Sequence, residues 1–341
     1  MVAACYDLSV YGLGAGTGPD FRNHVLSLLP LFAEAGLKVA VVNFRVSTAS
    51  RGSVEPAPEL VAVPAAGTSA AYAYTGDELR LLGQVKQLQQ WYDLVLIDGW
   101  TGNEGCWQLV PENQELGQGR AAGEYRLPLP VGSLLAACEV ILHHAGQLQQ
   151  NRPVWACVLI GGKSSRMGRP KHLLEDQAGT TWLERLVHLI QPHVAGVALS
   201  GKGDVPESLG SLPRLPDIPA VQGPLTGILS AMRWQPDVSW LLLACDMPHI
   251  SDQAVRWLLA SATLGVWAGL PTITDGRTVE PLFARYEPQS KAYFEELCAT
   301  GERRIGRVAV FAKTRVLPVP ARLQGAWSNI NTPQELQSVL L

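Results

Sequence analysis

The sequence predicts an α/β protein of two domains, 1–150 and 151–341, on three observations. Short, continuous apolar runs alternate with amphipathic helical segments from one end to the other, as expected for strands buried on both faces of a largely parallel sheet. The alternation restarts after residue 153. A length of 341 residues suits two domains of about 100–200 residues each.

In the first half, 37–43 (LKVAVVN) and 92–98 (YDLVLID) read as buried strands. Helices are expected over 21–35 and 77–91, the latter with Leu and Val three and four apart. The Pro-, Ala- and Gly-rich stretch 52–68 reads as a surface loop. The polar run 147–153 (QLQQNRP) marks the boundary, because its proline disfavours helix in the residue before it. In the second half, 154–160 (VWACVLI), 196–200 and 240–245 (WLLLAC) read as strands, and 182–191, 228–234 and 252–260 as helices.

Composition narrows the class. Hydrophobic residues make up 47% and charged residues 17%, an ordinary globular balance. The net charge of −3 offers no basic field for nucleic acid. The six cysteines (Cys5, Cys106, Cys138, Cys157, Cys245, Cys298) include no C-x-x-C pair, so neither a disulfide framework nor a zinc ribbon is indicated. The N-terminal residues do not read as a secretory signal, and no apolar run approaches the ~20 residues needed to span a bilayer. A cytoplasmic protein in a reducing compartment is the expectation.

The chemistry concentrates after residue 153. The strand 154–160 runs into Gly161-Gly162-Lys163-Ser164-Ser165-Arg166-Met167-Gly168-Arg169-Pro170-Lys171. Adjacent glycines let backbone approach a ligand closely, and the successive N–H groups of such a loop make a concave anion site. Ser164 and Arg166 add donors, and Lys171 adds a compact positive charge. A plain glycine turn with solvated basic residues is the simpler alternative, and the alignment of Ser164, Arg166, Gly168 and Lys171 weighs against it. The order of residues is not that of a Walker A loop. Asp217 and the Gly223-Pro224-Leu225-Thr226-Gly227 turn open the next helix, where backbone groups suit a base or a phosphate. Asp246, one residue past the strand 240–245, stands where open α/β sheets bind ligands. It suits a hard divalent cation such as Mg²⁺; alternatively it caps the turn that follows. The segment 280–284 (EPLFA) is expected to precede a helix. Near the end, Asn329 and Asn331 serve either as turn residues or as amides facing a ligand. His172 and His249 read as exposed or capping histidines.

LIGGKSSRMGRPK, Asp217 followed by GPLTG, LLLACDMP, EPLFA and NINTPQEL together resemble the MobA family, the molybdenum cofactor guanylyltransferases, over 153–341. The resemblance implies a Rossmann-like nucleotidyltransferase domain that joins GMP from GTP to the terminal phosphate of molybdopterin and releases pyrophosphate. It implies nucleotide contacts from Leu159, Gly161, Gly162, Ser164, Arg166, Lys171, Asp217, Gly223, Pro224 and Gly227. It implies Mg²⁺ on Asp246, the pterin towards Asn329 and Asn331, and Arg166, Lys171 and Asp246 as the residues of the transfer step. Molybdopterin cytidylyltransferases and other nucleotidyltransferases share the frame, and base choice rests on contacts near Leu159 and the GPLTG turn. A non-catalytic nucleotide-binding carrier is a third reading; the intact loop, Lys171 and Asp246 argue against it.

The first hundred residues resemble, more faintly, the MobB family of GTP-binding adaptors with a P-loop-NTPase-like fold. The strand-loop-helix YGLGAGTGPD at 11–20 and DLVLIDGW at 93–100 carry the likeness. The loop is degenerate. With Gly18 as the second P-loop glycine, Leu13, Pro19 and Asp20 stand at the first glycine, the lysine and the hydroxyl residue. Pro19 removes an amide donor and Asp20 repels phosphate. Asp98 resembles a Walker B carboxylate left without its lysine. This domain is expected not to hydrolyse GTP. It would serve as a scaffold, as a self-association surface, or as a platform for molybdoenzymes and other cofactor-biosynthesis proteins.

Overall fold

The computed structural model describes residues 9–14, 18–46, 61–63, 70–100, 106–112, 125–160, 170–219, 221–273 and 278–328. The chain divides into two compact units, Met1–Asn151 with Thr263–Gly265, and Arg152–Ala262 with Val266–Leu341.

The described elements of the first unit are β1 (Val10–Gly14), α1 (Pro19–Leu26), α2 (Leu29–Glu34), β2 (Val39–Val46), β3 (Val61–Val63), β4 (Ala70–Gly76), α3 (Glu78–Leu88), β5 (Leu94–Trp100), β6 (Trp107–Pro111), β7 (Arg126–Leu129) and α4 (Leu134–Asn151). Their sheet runs β3-β4-β2-β5-β1-β6-β7 and is parallel except for β3 against β4. The central strands carry Val, Leu and Ile on both faces, and Val10, Val42, Leu94, Leu96 and Ile97 are fully buried. Pro128 stands in β7 at the sheet's end, where a missing ladder donor costs least.

Two expectations for this half are corrected. The helix over 21–35 is two helices. Ser27 Oγ folds back onto the Asn23 carbonyl at 2.7 Å, and Pro30, in the first turn of α2, has no N–H to continue the ladder. The stretch 52–68 is not all loop, because Val61–Val63 pairs with β4; β-branched residues favour a pleated edge. The polar run that marks the boundary is itself helical up to Asn151, and the chain leaves the helix ahead of Pro153.

The described elements of the second unit are β8 (Val154–Leu159), α5 (Trp182–Ile190), β9 (Gly196–Ser200), β10 (Arg214–Leu215), α6 (Pro224–Trp234), β11 (Ser239–Ala244), α7 (Asp252–Leu259), β12 (Ala268–Thr272), β13 (Ala284–Tyr286), α8 (Lys291–Ala299) and β14 (Thr314–Pro318). The strand order is β10-β9-β8-β11-β13-β12-β14, with β13 antiparallel to both neighbours. Side chains alternate between two cores. Ala156 and Val158 pack towards α5 and α7; Cys157, Trp240 and Leu242 pack towards α6 and α8. Local chemistry fixes the helix starts. Thr181 and Glu184 form a reciprocal capping box on α5, and Ser251 caps α7. The expectation that 280–284 leads into a helix is corrected, since Ala284 begins β13 and α8 starts only at Lys291.

A buried ion cluster ties β8, β11 and β13. Glu287 accepts from Arg285 Nε at 3.0 Å, Arg152 Nη1 at 3.1 Å and Ser239 Oγ at 2.7 Å. Burial alone would push its carboxyl up, but Arg285, Arg152 and the Ser239 hydroxyl together hold it below the usual range.

Candidate active site

The carboxyl ends of β8, β9 and β11 open into a cavity of about 820 Å³. Parallel pairing aligns these ends, with Leu159 beside Ala244 on one side and Ser200 on the other. Seven residues expected at the site line this one cavity: Leu159, Lys171, Asp217, Gly223, Pro224, Gly227 and Asp246. Gly161, Gly162, Ser164 and Arg166, together with Asn329 and Asn331, lie outside the described residues.

Lys171 opens a single turn of 3-10 helix, Lys171–Leu173, and its Nζ donates to Asp246 Oδ2 at 3.0 Å. Asp246 therefore faces the cavity with a cation beside it rather than turning back as a cap. Its side chain keeps 26% exposure, so one face remains open to a ligand. Among the described residues no group of three or more His, Cys, Asp and Glu gathers as a metal set. A magnesium ion does not need one. It takes one or two protein carboxylates and fills its remaining positions with phosphate oxygens and water. Asp246 fits that role.

The opposite wall is built by the start of α6. Gly223 caps this helix with φ of 72°, a left-handed conformation that favours glycine, and Pro224 follows in the first turn. The segment before it is pinned from the helix: Thr226 Oγ1 accepts from Ile218 N at 2.6 Å, and Ser230 Oγ donates to the Pro216 carbonyl at 2.5 Å. Asp217 is thereby held at the cavity, with Lys202 Nζ at 3.8 Å. Gly227 forms the floor. A Cβ there would lie 2.6 Å from Leu159 Cδ2 and 2.7 Å from Ser200 Oγ, so a larger residue would have to displace those two side chains.

Sequence reasoning missed Ser200, Lys202 and Glu280, all of which line the cavity. Ser200 is buried, and among the described residues its Oγ has no hydrogen-bond partner. The rule that ligands bind beyond the carboxyl ends of strands, used for Asp246, would have found Ser200 at the end of 196–200 as well. Glu280 is half-buried, and burial pushes its carboxyl up. His172 is corrected from an exposed histidine to a buried one, its Nε2 donating to the Asp204 carbonyl at 2.9 Å. His249 is exposed.

The equivalent edge of the first unit is different. Asp98, at the end of β5 beside Leu13 of β1, does have a partner: Arg22 Nε donates to Oδ1 at 2.6 Å and Nη2 to Oδ2. That corrects the expectation of an unpaired carboxylate.

The model of the MobA-like NTP transferase domain matches residues 156–315. A molybdenum cofactor guanylyltransferase of Rhizobium meliloti is 33% identical over 197 residues, covering 53% of this chain and 88% of that protein. A molybdenum cofactor biosynthesis bifunctional protein of Synechocystis sp. is 30% identical over 185 residues, covering 54% of this chain; the chain spans about half the length of that relative, 52%. Among solved structures, molybdopterin-guanine dinucleotide biosynthesis protein A from Archaeoglobus fulgidus superposes with a TM-score of 0.46 at 23% identity, over 54% of this chain and 95% of that one. No helix among the described residues is long and apolar enough to cross a membrane.

Proposed function

The chain belongs to the MobA-like NTP transferases, and from that membership we propose that it transfers GMP from GTP to the terminal phosphate of molybdopterin. The observation that carries this reading is the Lys171–Asp246 pair in one cavity with Asp217, Gly223 and Gly227.

An oxygen of the acceptor phosphate attacks the α-phosphorus; the bond to the bridging oxygen breaks, and its electron pair leaves with pyrophosphate. The attacking oxygen is already ionised at neutral pH, so the protein need not supply a base. Its work is positioning and charge stabilisation. Lys171 is a point charge on a flexible stem and exchanges the Asp246 carboxylate for a triphosphate oxygen without leaving the cavity. The N-terminal end of α6 favours anionic groups through the helix dipole. Asp217 with Lys202 attends the nucleotide end. Arg166 takes the leaving pyrophosphate, and Asn329 and Asn331 serve the acceptor side. Asp246 would hold a magnesium ion, which would supply charge neutralisation to the triphosphate.

The first unit takes no part in this chemistry. Pro19 at the start of α1 withholds an amide, and the Arg22–Asp98 pair consumes the cation and carboxylate that a nucleotide site would use. A scaffold or docking role remains for it, towards molybdoenzymes, other cofactor-biosynthesis proteins or a second copy.

Calorimetry of GTP and CTP with Mg²⁺, on the wild type and Lys171→Ala, tests both statements. One GTP site per chain, lost in the variant, is expected. A preference for CTP moves the assignment to cytidylyl transfer. A GTP site that survives Lys171→Ala places nucleotide binding elsewhere, in the first unit above all.

A further inference from the structure

The segment 280–283 has no part in the transfer step, yet it is tightly held on the cavity wall. Glu280 N donates to the Pro271 carbonyl at 2.8 Å and Phe283 N to the Leu242 carbonyl at 2.6 Å. Tyr286 Oη donates to the Pro281 carbonyl at 2.7 Å. Phe283 has φ of 53°, a left-handed conformation that is strained for a bulky residue. Its surroundings enforce it: the ring is fully buried and stacks on Trp327 at 4.6 Å, and Trp327 Nε1 donates to the Phe283 carbonyl at 3.0 Å. Strain of this kind persists only where neighbouring packing over-determines it, and it concentrates at functional sites. The turn sets Glu280, Pro281 and Leu282 on the cavity wall. Among the described residues the Glu280 carboxylate has neither a hydrogen bond nor an ion pair.

Sheet order says which substrate this wall faces. In β10-β9-β8-β11-β13, the groups given to the nucleotide, from Ser200 to Gly227, lie on the β9–β10 side of Asp246. Glu280 comes just before β13, on the other side. Displacement at phosphorus sets the acceptor oxygen opposite the leaving pyrophosphate, and the wall at Glu280 is the part of the cavity given neither to the nucleotide nor to the pyrophosphate. The pterin of that acceptor carries an aminopyrimidinone edge with a ring N–H beside an exocyclic NH₂. These are two parallel donors, and a carboxylate accepts such a pair through both oxygens.

We infer that Glu280 recognises the acceptor, its carboxylate taking the paired N–H donors of the pterin's aminopyrimidinone edge. The inference rests on the reading of the chain as a molybdopterin guanylyltransferase. It makes Glu280 a specificity residue, separate from Lys171 and Asp246.

The test is steady-state formation of the guanine dinucleotide by the full chain, wild type against Glu280→Gln and Glu280→Asp. Glu280→Gln cannot accept both donors, and the KM for molybdopterin is expected to rise about 10- to 100-fold. The KM for GTP, its affinity by calorimetry and the thermal midpoint stay unchanged. Glu280→Asp keeps the charge on a shorter stem and gives a smaller rise in the same constant, which keeps the test available if Glu280→Gln misfolds. Unchanged molybdopterin KM in both variants overturns the inference. So does a rise confined to GTP, whose guanine carries the same donor edge. A wild-type chain that makes no dinucleotide overturns the guanylyltransferase reading itself, a different result from a wild type that works and a Glu280 that does not matter.

Discussion

Each unit places a carboxylate at the carboxyl end of a central parallel strand and meets it with a basic side chain from the segment that follows the neighbouring strand. In the second unit the pair is Asp246 and Lys171; in the first it is Asp98 and Arg22. The difference lies in the cation. Arginine's planar fork engages both Asp98 oxygens, and the Asp98 side chain is only 7% exposed. Lysine donates to one Asp246 oxygen, leaves Asp246 at 26% exposure and stands in an 820 Å³ cavity. Neighbouring parallel strands thus carry a closed pair in one unit and an open pair in the other. A bidentate partner is a lock, and a point charge on a flexible stem is exchangeable.

Asp246→Asn breaks the comparison most severely. It is expected to lower nucleotidyl transfer about 10²- to 10³-fold, whereas Arg22→Ala leaves the steady-state rate at the wild-type level. Equal losses in the two variants would mean that both pairs take part in chemistry.

The next effect is on stability alone. Glu287→Gln leaves Arg152 and Arg285 buried without their shared counter-charge. Denaturant unfolding of the full chain should show a loss of roughly 3–5 kcal/mol. A loss below 1 kcal/mol, about the median for a surface pair, would mean the cluster is solvated.

Arg22→Ala is expected to cost less, about 1–3 kcal/mol, because it removes one hydrogen-bonding partner from a carboxylate that stays close to water through the half-exposed arginine site. The double variant Arg22→Ala with Asp98→Ala should recover part of this, as the unpaired buried charge is gone. No recovery would show that the arginine stem, rather than the ion pair, does the stabilising.

The mildest effect is on pH dependence. Burial holds His172 in the second unit and His144 in the first below the usual histidine pKa. Each stays neutral in the fold while the unfolded chain takes up its proton first. The unfolded state therefore binds more protons, and stability falls as pH drops below about 6.5. Above that pH both states are neutral and the effect vanishes. His172→Gln should flatten part of the decline in thermal midpoint between about pH 6.5 and 5; an unchanged slope would assign it to other groups.

Much of this was legible in the chain. Strands buried on both faces announce themselves as runs such as VWACVLI and YDLVLID. Asp246 was legible because it directly follows a strand in an α/β pattern, and Gly223-Pro224 because a helix opens there. The break at Ser27 was not read: helical periodicity runs across it, and one proline decides it. The strand at 284–286 was hidden because three residues carry too little period to distinguish from a turn. Ser200 ends a strand that was read and Glu280 opens the EPLFA segment, but their place on one cavity wall appears only when strand ends are brought side by side.

The sequence by itself determined the alternation of strand and helix and the motifs of the second half. These follow from local composition and spacing, which act over a few residues. Only the tertiary structure decided that Lys171 reaches Asp246 across 75 residues of sequence, that Arg22 closes on Asp98 across 76, and that His172 is buried. It alone decided that Glu280 stands on a strained turn in the cavity wall. Those outcomes depend on strand order and register, which bring distant residues together by pairing and packing over the whole sheet, and no short window of sequence contains both partners.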